Sequence, residues 1–293
     1  MFCGYNLGMA MGGFISSWLI PAHGWHSLFL LGGWAPLILM LLVIFCLPES
    51  YRFLIVKGGN NEKVRQILTR IAPQQVQGVT EFHVPEEKAN VGDKKGVFGM
   101  LFSPKYVKGT VLLWVTYFMG LVVIYLLTSW LPTLMRETGA SLERAAFIGG
   151  LFQFGGVLSA LFIGWAMDRF NPNRIIAGFY LAAGIFALIV GQSLSNPTLL
   201  AVFILCAGIA VNGAQSSMPV LSARFYPTQC RATGVAWMSG IGRFGAVFGA
   251  WIGAVLLGNN WSFTMILSML FIPAAAAAVA IFVKSVVAHT DAT

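Results

Sequence analysis

Acidic residues are scarce in this sequence. Asp and Glu number 10 in 293 residues, against 18 Lys and Arg, and charged residues of both signs make up 10% of the chain. A soluble domain carries about 25%. With 57% hydrophobic residues and a mean hydropathy of +0.78, that scarcity excludes a soluble enzyme with one anchor. It points to an all-α polytopic membrane protein. Histidine and cysteine are equally sparse, at four each. The histidines (His23, His26, His83, His289) fall in connections or the tail. The cysteines (Cys3, Cys46, Cys206, Cys230) are widely spaced, and no CxxC or Cys/His pattern joins them, so buried inert thiols are expected rather than a metal site. The HExxH, P-loop and nucleophile-elbow motifs are missing as well. No catalytic residue, metal or cofactor is therefore expected. No Lys or Arg precedes Arg52, so the basic n-region of a signal peptide is lacking and the chain opens directly onto an apolar segment.

What the sequence does have is apolar runs of membrane-crossing length. About 20 apolar residues at 1.5 Å each cross a hydrocarbon core. Eight segments qualify: 1–19, 27–47, 109–131, 145–167, 175–194, 199–220, 233–257 and 262–283. The basic residues alternate between the connections as membrane topology requires. Ten lie in 48–108 and five more on the same side (Arg169, Arg174, Arg224, Arg231, Lys284); only Arg136 and Arg144 fall opposite. The positive-inside rule makes the richer side cytoplasmic, with both termini of this chain there. The net charge of +8 thus reflects topology, and no nucleic-acid partner is expected.

These runs divide the chain into two helices of a first bundle (1–47), a cytoplasmic linker (48–108), a six-helix second bundle (109–283) and a cytoplasmic tail (284–293). Glu62 to Arg70 could form a short helix in the linker. The last two spans repeat the first two. The offset that lays Met238 on Met1 also lays Gly245 on Gly8, Gly249 on Gly12, Ile252 on Ile15 and Pro273 on Pro36. Parallel repeats of six spans build many secondary transporters. Six spans follow the linker and two precede it. The expectation is therefore an N-terminally incomplete copy of a twelve-span protein, with a natural eight-span protein as the alternative.

Arg243 is the one Lys or Arg in the middle of an apolar run, and Gly240, Gly242, Gly245, Gly249 and Gly253 surround it. The segment matches G-x-G-x-x-G literally, but no strand precedes it, so the dinucleotide reading fails. The spacing of Gly245, Gly249 and Gly253 instead suits close helix packing, as does that of Gly8 and Gly12. Arg243 lies about 15 Å into its span, near the midplane, where a charge is a functional hypothesis by default. No Asp or Glu lies well inside any span. Its partner is then a backbone carbonyl, an acid preceding this chain, or an anionic solute. Guanidinium matches carboxylate bidentately. Trp114, Tyr117, Leu121, Tyr125 and Thr128 share one helical face; Asn212, Gln215, Ser216 and Pro219 share another; Gln153 is a lone amide in its span. Each could serve interhelical packing. Together they suit a cavity for a flat ring with polar substituents. The candidate substrate-binding set is Arg243, Asn212, Gln215, Gln153, Tyr117 and Tyr125. At 164–174, an adjacent acid and base in GWAMDRFNPNR could lock one conformation, which makes Gly164, Asp168, Arg169 and Arg174 a candidate gate. A merely topogenic positive loop is the plainer reading.

Taken together these motifs resemble the major facilitator superfamily. GWAMDR…R (164–174) is similar to its loop motif between spans 8 and 9, with Asn171 where Gly is usual, and LPESYRFL (47–54) to its motif after span 6. The runs 224–250, 117–135 and 211–219 look like the aromatic acid:proton symporters, in particular the 4-hydroxybenzoate and protocatechuate permeases. The resemblance spans the whole chain. It implies a twelve-helix fold with about eight helices present here, alternating access and a small aromatic carboxylate as substrate. It also implies the proton as coupling ion and a bacterial inner-membrane location. The alternatives from the residues alone are an incomplete non-transporting fragment, a membrane sensor that binds solute without moving it, or a carrier of another organic anion or a sugar.

Overall fold

The computed structural model describes residues 2–46, 97–137, 139–192 and 196–290. Among them every regular element is helical. The helices are α1 (Phe2–His23), α2 (Trp25–Cys46), α3 (Val97–Leu101), α4 (Val107–Glu137), α5 (Leu142–Arg169), α6 (Pro172–Gln192), α7 (Pro197–Phe225), α8 (Thr228–Gly258), α9 (Phe263–Met269) and α10 (Phe271–Thr290). The chain is a multi-pass membrane protein. Among the described residues seven helical stretches are long and apolar enough to cross a membrane: α2, α4, α5, α6, α7, α8, and α9 joined to α10. The eighth expected span, α1, is as long as α2 but falls short of that apolarity. Four glycines, two serines, Tyr5 and Asn6 dilute it; the helix packs on α5 and lines a cavity described below. Most of the expected linker, including Glu62 to Arg70, and the whole of the 47–54 motif lie outside the described residues.

Two compact units are present, Met1–Trp25 with Lys94–Thr293, and His26–Asp93. Of the second, only α2 is described. It contains Pro36 and buries none of its side chains, and Cys46 at its end is exposed, unlike the buried Cys230.

The first unit joins two clusters of buried apolar side chains with close backbone approach at glycines. Such approach is expected in lipid, where apolar burial gives little net drive for helices to associate. The glycine face of α8 seats on α4. A Cβ on Gly245 would stand 3.0 Å from the carbonyl carbon of Phe118, and one on Gly249 2.9 Å from the Cα of Val122. Trp130 Nε1 on α4 then donates to the Ala250 carbonyl on α8 at 2.8 Å. On α1, Gly13 makes the close contact, against Gly150 of α5, whereas Gly8 and Gly12 face open space among the described residues. Helix starts are capped as their sequence dictates: Ser141 and Ser262 accept from the amides of Arg144 and Met265, and Asn196 precedes Pro197 at the first turn of α7.

Two departures from the sequence reading concern the last span. The run expected as one helix breaks after Met269, because Pro273 has no N–H to return to the Met269 carbonyl. The helix also continues past 283, so that Lys284 is buried rather than the first residue of a free tail. Its Nζ donates to Asn173 Oδ1 at 3.1 Å and lies 4.8 Å from the ring centre of Phe225. Nearby, between α7 and α8, Tyr226 is buried and donates to Thr110 Oγ1 at 3.0 Å. Burial raises the pKa of its hydroxyl, which therefore stays protonated as a donor. Together these contacts tie α10, α6, α7 and α4 at one end of the bundle.

Candidate functional site

A cavity of about 370 Å³ lies between the α4–α8 pair and the α1–α5–α7 group. That volume falls in the ~300–1,000 Å³ range of small-molecule pockets. All six residues proposed from the sequence as substrate-binding line it: Arg243, Asn212, Gln215, Gln153, Tyr117 and Tyr125. Leu121 and Thr128 join them from the face of α4 that the spacing picked out. Trp114 does not, and stacks instead on Trp237 with centroids 6.2 Å apart.

The hydrogen bonds separate supporting groups from available ones. Gln215 is anchored by structure, since its Oε1 accepts from Tyr180 Oη at 2.6 Å and its Nε2 donates to the Tyr117 carbonyl at 3.4 Å, which leaves one hydrogen and one lone pair. It reads as the brace that holds Tyr117. Asn212 gives its amide hydrogens to two carbonyls, of Gly208 at 3.1 Å and Phe152 at 3.4 Å. Only an NH₂ group can serve two carbonyls, so its orientation is set and Oδ1 is left as an acceptor. Gln153 Nε2 meets Thr128 Oγ1 at 3.3 Å, joining α5 to α4 across the cavity. Arg243 sits at the middle of the 31-residue α8. Among the described residues it makes no ion pair or hydrogen bond. The missing side chain at Gly242 lets the Tyr117 ring lie against α8. A second space of about 230 Å³, walled by Phe118, Val122, Phe248 and Ile272, carries no polar group and offers a carboxylate nothing.

Sequence reasoning missed the contribution of α1. Tyr5, Asn6 and Met9 complete the cavity wall, and the one available signal was that Asn6 occupies the Arg243 position in the repeat. It also missed a charge partner. Asp168 pairs with Arg224 of α7 at 3.1 Å, not with its neighbour Arg169. Arg169 instead stacks its guanidinium over Trp165 at 5.8 Å. Arg174 meets no acid among the described residues, and Gly164 faces open space. Both α5 and α7 end here. An acid at a helix C-terminus opposes the helix dipole, and a cation at the neighbouring C-terminus compensates it.

The family model described as Major Facilitator Superfamily matches residues 1–191 and again 113–292. This chain belongs to the major facilitator superfamily. Relatives within the superfamily include the 4-hydroxybenzoate transporter PcaK of Acinetobacter baylyi, 93% identical over 293 residues, which are 100% of this chain and 64% of the relative. The protein of the same name from Pseudomonas aeruginosa is 62% identical over 292 residues, 100% of this chain and 65% of its own length. The gallate transporter of Pseudomonas putida is 46% identical over 281 residues, 96% and 62% respectively. This chain therefore spans just under two thirds of the relatives it matches.

Proposed function

We propose that the protein acts in proton-coupled uptake of small aromatic carboxylates, 4-hydroxybenzoate and protocatechuate among them, by alternating access in a bacterial inner membrane. Both termini of this chain would face the cytoplasm. The observation that carries the reading is Arg243, a mid-span guanidinium without a partner among the described residues, opening on a cavity walled by tyrosines and amides. A lone charge at that depth is costly, and an arriving carboxylate offsets the cost with a charge-assisted, bidentate hydrogen-bonded pair. Tyr117 and Tyr125 present ring surface to an aromatic solute. The names of the 4-hydroxybenzoate and gallate transporters among its relatives agree with the chemistry. The proton serves as coupling ion, and no cofactor is required.

The test is uptake of labelled 4-hydroxybenzoate into cells without related permeases. These would carry either this chain or a chimera in which its 293 residues replace the matching segment of the Acinetobacter baylyi relative. Accumulation that unlabelled protocatechuate competes away, a hexose does not, and a protonophore collapses is the expected result. Accumulation insensitive to the protonophore would remove proton coupling, and competition by the hexose would remove the substrate class.

We infer a gating role for Asp168 with Arg224. The pair is exposed, 74% and 54% respectively, so it contributes under about 1 kcal/mol to stability. A contact that weak is suited to being broken and remade within a transport cycle. Arg224→Asp or Asp168→Arg alone is expected to lower the uptake rate about fivefold or more, the scale set by 1 kcal/mol, at unchanged membrane abundance. The charge-swapped double variant should recover most of it. A swap no better than either single variant would show that the pair has no such role.

A further inference from the structure

Asn6 has no role in the reading above, yet its surroundings are unusual. It is only 5% exposed, and its amide makes no hydrogen bond among the described residues. The side chain is enclosed by protein while its amide opens on the cavity, so its hydrogen-bonding groups are available to a ligand there. Its place is made by Gly156 of α5. A Cβ there would stand 2.6 Å from Asn6 Nδ2 and 3.0 Å from the Cβ of Asn212. The empty position at Gly156 thus brings the two asparagines side by side on one wall. Asn212 Oδ1 is the acceptor left over after both its hydrogens are used. Asn6 has donors and an acceptor unspent. Arg243 stands on the other wall, on α8.

We propose that Asn6, seated over Gly156 beside Asn212, forms the subsite for the ring hydroxyl of a phenolic carboxylate whose carboxylate group meets Arg243. The proposal rests on the carboxylate reading of Arg243 and adds the specificity for hydroxylated rings. A phenol donates one hydrogen bond and accepts another. Asn212 Oδ1 receives the donated hydrogen and Asn6 supplies the second bond. An unsubstituted benzoate leaves both asparagines unsatisfied, which is how a polar site rejects an analogue lacking the hydroxyl.

The experiment measures the ratio of two inhibition constants, benzoate over 4-hydroxybenzoate, against labelled 4-hydroxybenzoate uptake by the chimera. Asn6→Ala removes the amide, and Asn6→Leu removes it while keeping the volume over Gly156. Either variant should lower the ratio about tenfold, the scale of one to two neutral hydrogen bonds. Should both variants fail to reach the membrane, unmodified protein decides the matter with 4-methoxybenzoate, which accepts a hydrogen bond and cannot donate one. It should inhibit less well than 4-hydroxybenzoate, because Asn212 Oδ1 then receives no hydrogen. A ratio unchanged in both variants, or 4-methoxybenzoate matching 4-hydroxybenzoate, overturns the subsite while leaving the carboxylate reading standing. Failure of unmodified protein to recognise 4-hydroxybenzoate at all overturns both.

Discussion

Arg243→Gln should abolish 4-hydroxybenzoate uptake, with a loss of roughly a hundredfold or more in kcat/KM, while membrane abundance stays normal. The size follows from removing one partner of a desolvated, charge-assisted pair, about 3 kcal/mol or more. Normal abundance follows from the structure. Arg243 makes no ion pair or hydrogen bond among the described residues, so its replacement orphans none of them there. Gln is also easier to keep at mid-span than a cation. Arg243→Lys separates charge from geometry. It keeps the cation but loses the planar fork, and an intermediate loss of about tenfold is expected. The two variants are to be read by initial uptake rates against substrate concentration, with abundance from quantitative immunoblots of membranes.

The second large effect concerns the frame. Gly249→Ala should destabilise the bundle by about 3 kcal/mol, and Gly249→Leu should prevent a folded protein from accumulating. The added Cβ would meet backbone atoms of Val122 on α4 at 2.9 Å and closer, and a helix backbone cannot rotate out of the way as a side chain can. Overpacking that a side chain could relieve costs about 1–3 kcal/mol; here only separation of α4 and α8 relieves it. That separation also breaks the Trp130 to Ala250 hydrogen bond and moves Arg243 away from Tyr117. The control lies one turn before Arg243 on the same helix. A Cβ on Gly240 meets nothing within 4 Å, so Gly240→Ala should be neutral or stabilise by up to about 1 kcal/mol through helix propensity. Thermal unfolding in detergent, followed by tryptophan fluorescence, compares the two. Equal shifts would mean that glycine spacing, rather than contact, had been mistaken for packing.

Much of this arrangement is legible in the sequence because lipid restricts the choices. Backbone groups in hydrocarbon must pair within their own segment, so an apolar run of the right length can only be a helix. Helical spacing then sorted Tyr117, Leu121, Tyr125 and Thr128 onto one face, and that face does line the cavity. The depth and isolation of Arg243 needed no structure. Other features were not legible, for identifiable reasons. Periodicity tells which residues share a face but not which helix that face meets. Trp114 falls on the Tyr117 face by spacing and still turns to Trp237. Gln215 falls on the Asn212 face by spacing, but spacing does not show that Tyr180, 35 residues earlier, donates to its Oε1. Asp168 has a cation beside it in the chain, but the ends of α5 and α7 come together and favour Arg224. Lys284 sits at the edge of an apolar run, where sequence cannot tell a snorkelling lysine from one buried under an aromatic ring. Asn6 could be reached only through the repeat, which gave its position without its surroundings.

The most direct measurement of the central claim compares 4-hydroxybenzoate with its neutral amide, 4-hydroxybenzamide, as competitors of labelled 4-hydroxybenzoate binding to the purified chimera and to its Arg243→Gln variant. The two ligands share ring and hydroxyl and differ in the charge that Arg243 is held to receive. The account predicts that unmodified protein prefers the carboxylate by about a hundredfold and that the variant, its residual binding read at high ligand concentration, prefers neither. A variant that retained the full preference for the carboxylate would contradict it.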